Sequence, residues 1–182
     1  MAHFKNERMN EILSFLYQSV CKGIRNDYLY LTQWLKSLYY MTEFTRETIP
    51  IVEMNDASML VFQELMRVMY EDGYSEPIDD AELITLDLVN TKLIIPVVVD
   101  ESNWMSIKMA LLDFHSCMMA GKFIVMSFDA NIIEQMISHS FKWIGKGSLM
   151  IPDRRQCINA MKSVSDGYAL AFMRELVHGG IG

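Results

Sequence analysis

LIIPVVV, residues 93–99, is the stretch on which the fold turns. Its β-branched content would suit a strand. Pro96 interrupts it, however, and no partner strand is evident elsewhere in the chain, so an isolated sheet is implausible. The reading is therefore a helix over about Ala81 to Ile94 that ends in an extended linker.

Beyond it lies DESNWMSIKMALLDFHSCMMAGK, Asp100 to Lys122. Asp100 or Ser102 can cap a helix that starts near Asn103. Its apolar positions, from Trp104, Ile107 and Leu111 to Met118, wrap the whole cylinder, and a helix apolar all round belongs among other helices. The segment FIVMSF that follows is ambiguous between continuation and turn.

Helical patterns dominate the remainder. Ile12, Leu16 and Val20 recur at helical spacing over Asn6 to Val20, and a second stripe runs from Asn26 to Met41. EFTRETIPIVEMND reads as a connection because Pro50 biases its predecessor away from helix. A helix over Ala57 to Asp72 follows, capped by Asp56. Asp129 caps a helix carrying Ile132, Ile133 and Met136. WIGKGSLMIPD is a break, and Asp153 starts a last helix to about Val177, kinked at Gly167. The sequence thus predicts an all-α domain spanning residues 1–182, with about seven or eight helices bundled around one hydrophobic central helix. Residues 178–182 are expected to form a flexible tail.

Composition excludes several functions. The 182 residues are 51% hydrophobic and 21% charged, which suits a globular core and not a disordered chain. A net charge of -7 with scattered Lys and Arg argues against nucleic-acid binding. Three cysteines in unrelated contexts suit a reducing compartment, and no leader or membrane anchor is read. No phosphate loop, HExxH or CxxC occurs, so no metal, cofactor or catalytic residue is assigned and the chain is not read as an enzyme. His115 and Cys117, two apart on a helix, point in different directions and make no metal site.

Asn103-Trp104, Ile107 and the apolar run after them resemble the first homology region of the B-cell lymphoma 2 family of apoptosis regulators. FQELMRVMYED, Phe62 to Asp72, resembles the third region, with Leu65 at its main leucine. Trp143-Ile144 before GKG is similar to the start of the second. The absence of the usual arginine, with Ser106 in its place, fits a divergent viral homologue of iridovirus type.

The resemblance implies a Bcl-like inhibitor of host apoptosis that sequesters pro-apoptotic death-motif proteins of the host by holding their amphipathic helix in a surface groove. That groove would be lined by Leu65, Val68, Met69, Asn103, Ser106, Ile107 and Leu111. Trp104, Trp143 and Ile144 would form a structural core motif. The protein would act in the host cytoplasm, with association at mitochondria and homodimerisation both allowed. With no arginine at Ser106, the ligand's aspartate would need another donor, such as Lys108. The competing expectation is a viral structural or matrix-like protein whose helices self-assemble.

Overall fold

The computed structural model describes residues 2–40 and 48–178. The predicted helix end at Met41 and the tail beyond residue 178 lie outside the described residues. The predicted all-α bundle is corrected: the chain forms a four-stranded, wholly parallel sheet with helices on both faces.

The elements are α1 (Ala2–Ser14), continued by a π-helical stretch Phe15–Val20, then α2 (Arg25–Tyr40), β1 (Ile49–Glu53) and α3 (Asp56–Tyr70). α4 (Leu86–Thr91), β2 (Ile95–Val98), α5 (Trp104–Ser116) and β3 (Phe123–Ser127) follow. α6 (Ala130–Met136), β4 (Phe141–Ile144), α7 (Arg154–Ser165) and α8 (Tyr168–His178) complete the described chain. The strand order is β2-β3-β1-β4. Ile51 lies opposite both Val125 and Trp143, and Val97 lies opposite Val125.

Pro96, which argues against a sheet, and Pro50, which marks the expected connection, both sit where a ladder tolerates them. Ile95 donates its N–H to Lys122 O of the β2–β3 seam, so Pro96, one residue on, turns its ring nitrogen to the outer edge. The Pro96 carbonyl there accepts from Ile78 N at 3.0 Å. Pro50 stands one residue before the first pair with β3, Ile51 opposite Val125, and its missing donor costs no ladder bond.

The sheet divides the interior into two cores. On one face Val52, Ile124, Met126 and Ile144 pack against α1, α2, α3, α7 and α8. On the other Ile49, Ile51, Val97, Phe123 and Val125 pack against α5, α6 and the segment around α4. The two central strands, β1 and β3, are therefore buried on both faces, as parallel strands between two helical layers must be.

The predicted central helix is an outer one. α5 buries Ile107 and Leu111 fully, while Met105 and Met109 are 63% and 59% exposed. Its apolar composition hides an ordinary buried stripe, and the centre of the molecule belongs to the sheet. The last predicted helix divides at Gly167, whose φ of +86° favours glycine, into α7 and α8.

Cys21 and Cys157 are buried and Cys117 is exposed. Burial pushes the Cys21 thiol far above its ordinary value, with the nearby Asp27 carboxylate adding to the effect. A thiol assay with Ellman's reagent at pH 8 is accordingly expected to titrate one cysteine in the native protein and three after unfolding. Native reaction of all three would contradict this packing.

Candidate functional site

The strands' carboxyl ends share one rim of the sheet, and the chain leaves neighbouring strands there in opposite directions. α3, after β1, packs in the first core, whereas α6, after β3, packs in the second. β1 and β3 are adjacent, so a crevice opens between their ends, the place where open parallel sheets accept ligands. A cleft of about 380 Å³ lies at this position. Lys22, Glu53, Asn55 and Asp56 supply its polar groups, and Phe128 and the loop Met150–Pro152 its apolar ones.

Lys22 enters from the turn between α1 and α2. This turn places two consecutive residues in the left-handed region, Lys22 at φ +51° and Gly23 at φ +76°. The strain at Lys22 is offset by what the residue holds. Its ammonium donates to Glu53 Oε2 at 2.8 Å, its carbonyl accepts from Ser148 Oγ at 2.9 Å, and the residue is 8% exposed. Its aliphatic stem lies against Gly145, where a Cβ would meet Lys22 Cδ at 3.1 Å, tighter than ordinary packing. One side chain thus ties together the α1–α2 turn, the end of β1 and the loop after β4.

Asp27 makes a second tie. Buried at 4% exposure, it accepts from Gly145 N at 2.7 Å with Oδ2 and from Lys142 Nζ at 2.9 Å with Oδ1. The floor of the cleft is fixed by helix caps. Asn55 Oδ1 accepts from Ser58 N at 2.8 Å, and Ser58 Oγ accepts from Asn55 N at 3.1 Å, a reciprocal box worth about 1 kcal/mol per capping bond. Asp129 Oδ1 accepts from Asn131 N at the start of α6, and Ser127 Oγ accepts from Asp129 N. At the end of β2, the donors of Ser102 and Asn103 hold the Asp100 carboxyl below its ordinary range.

Above this polar floor the rim is apolar and open. Phe128, Leu149, Met150 and Ile151 are all exposed, Leu149 almost completely at 97%. Glu53 Oε1 and the Asn55 amide nitrogen are not used by the bonds just described, and Asp56 is exposed beside them. The cleft therefore offers two carboxylates, one amide donor and an apolar margin around one internally paired lysine.

The residues expected to line a partner-helix groove do not share a surface. Leu65 and Met69 on α3 are buried in the first core, with Val68 packed against it. Ile107 and Leu111 on α5 are buried in the second, across the sheet. Asn103 stands at the start of α5, but its side chain turns back: Oδ1 accepts from Asp100 N, and Nδ2 donates to Val98 O and Asp79 O. Ser106 is exposed and donates to Asn103 O, and Lys108 donates to Gln135 O. Trp104 packs against the second core. Trp143 and Ile144 start no helix; they lie on β4 and face opposite cores.

Sequence reasoning assigned no role to Lys22, Glu53, Asn55 or Phe128. One available signal was the recurrence of short apolar runs each closed by a capping residue, as in IPIVEMN, IPVVVD and FIVMSFD. Among the described residues no group of three His, Cys, Asp or Glu is placed to hold a metal. No described helix is long and apolar enough to cross a membrane. Comparison with protein-family models, curated proteins and solved structures finds no match to this chain.

Proposed function

We propose that this chain is a binding domain for a small molecule that carries an amine head on an apolar body, held in the cleft at the carboxyl ends of β1 and β3. The supporting observation is the coincidence of that cleft with the point where the helices after adjacent strands part to opposite faces. Its chemistry selects the ligand class. Glu53 and Asp56 outnumber Lys22, and the ammonium of Lys22 is already paired with Glu53, so the cleft favours a cationic donor over an anion. Phe128, Met150 and Ile151 give the ligand's apolar part a surface to cover.

Binding is favoured over turnover because the polar groups of the floor are engaged as caps and ties with one another. The capture of a death-motif helix would need a surface other than the groove expected from sequence, whose residues the sheet separates.

Titrating the isotopically labelled chain with phenethylamine, phenethyl alcohol and phenylacetate tests the proposal by NMR. Phenethylamine should shift the amides of Glu53, Asn55 and Phe128 and bind tightest of the three. Glu53→Gln should weaken it by about tenfold, the loss of one charge-assisted hydrogen bond. Equal or tighter binding of phenylacetate, or no response at these residues, would overturn the ligand assignment.

A further inference from the structure

We infer that the outer edge of β4 is a second site, which accepts an extended acidic peptide segment as an added strand. The two edges of the sheet differ. β2 is already covered by residues 74–78, through Ser75 N to Ile94 O, Ile78 N to Pro96 O and Val98 N to Ile78 O. Along β4, Ile49 N donates to Ser140 O and Phe141 lies opposite Ile49. This register turns the backbone groups of Phe141 and Trp143 away from β1. Phe141 N is met by Ser138 O, and Gly145 N by Asp27. That leaves the Phe141 carbonyl and both backbone groups of Trp143 facing outward between these two closures.

A groove of about 430 Å³ runs along this edge, lined by Ile24, Ile137 and the Asp27 carboxylate. Two lysines line it as well. Lys146 stands over the Trp143 ring, 5.5 Å from its centroid, and Lys142 reaches from the opposite face of the strand to Asp27. A strand entering the groove presents alternate side chains to the Trp143 face, where acidic residues would meet Lys146; Lys142, on the other face, is already neutralised by Asp27.

The buried indole N–H of Trp143 has no acceptor among the described residues and supplies a separate reporter resonance. The labelled full chain can be titrated with acetyl-Glu-Val-Glu-Val-Glu-amide, with its lysine counterpart, and with the acidic peptide N-methylated at alternate residues in either phase. The acidic peptide should shift the Trp143 indole and the amides of Trp143 and Gly145. N-methylation in one phase should weaken it by about tenfold, the loss of two backbone hydrogen bonds, and in the other phase should change little. Lys146→Glu should weaken the acidic peptide by about fivefold. The inference is overturned by equal loss in both phases, by lysine-peptide binding as tight as the acidic one, or by no shift at Trp143. Concentration-dependent shifts at β4 without peptide would equally overturn it, by assigning the edge to a second copy.

Discussion

Replacing Asp27 by Ala is expected to destabilise the fold by about 2 to 4 kcal/mol. The carboxylate is almost fully buried and satisfies two donors that sequence separates widely, the Gly145 N–H and the Lys142 ammonium. Its removal leaves a buried backbone donor without a partner and a cation without its counter-ion. Lys142 keeps about two-fifths of its side chain exposed, at 41%, so water takes up part of that loss and the figure stays below that of a wholly buried pair.

The parts can be separated. Asp27→Asn keeps an acceptor for Gly145 and should cost about half as much, and Lys142→Ala, which leaves the buried carboxylate with the Gly145 N–H but without its counter-ion, should cost about 1 to 2 kcal/mol. Urea unfolding gives the comparison directly: Asp27→Ala should lower the midpoint most and the other two less, with slopes unchanged. Indistinguishable stability of Asp27→Ala and the parent would show that the α2 start does not hold the end of β4.

Ile51→Ala is the second large effect, with an expected loss of about 2 to 5 kcal/mol. Ile51 lies on the central strand, is fully buried, and packs in the core beneath α5 and α6. Truncation there opens a cavity between layers that have little freedom to collapse, since β1 is pinned on both sides by β3 and β4. Leu60→Ala on α3 is the control: Leu60 is 61% exposed, and its loss should change stability by only about 0.5 kcal/mol. Equal effects from the two substitutions would favour the reading of residues 43–56 as a surface connection.

That connection reading shows where sequence reasoning stops. The helices were largely legible because each outer helix alternates buried and solvated positions at the helical period, as Leu31, Leu35 and Leu38 do on α2. The strands carry no such alternation. Phe123–Ser127 is buried at every position, because alternate side chains meet opposite helical layers, Ile124 and Met126 the first and Phe123 and Val125 the second. A short apolar run of this kind has no period by which to tell strand from buried helix. Pro96 then weighs against a sheet, although its edge position removes the cost, and Pro50 suggests a connection, although register lets it stand in β1.

The same reasoning explains the missed site. Lys22 sits in a turn, Glu53 at the end of a run taken for a connection, and Phe128 at the end of one left ambiguous. Only a parallel sheet brings β1 and β3 side by side and gathers these residues at one rim. The family resemblance acted in the opposite direction. Asn103-Trp104 and Trp143-Ile144 matched short motifs, yet one pair opens an outer helix and the other lies within a strand.

The cleft and the open β4 edge both depend on the parallel ladder, and interstrand NOEs of the backbone test it most directly. The ladder predicts contacts between Ile51 and Val125 and between Val97 and Val125, with strong sequential Hα–HN contacts through Phe123–Ser127. Helical i to i+3 contacts through residues 123–127, with no contact from Val125 to either neighbouring strand, would contradict the fold and the cleft built on it.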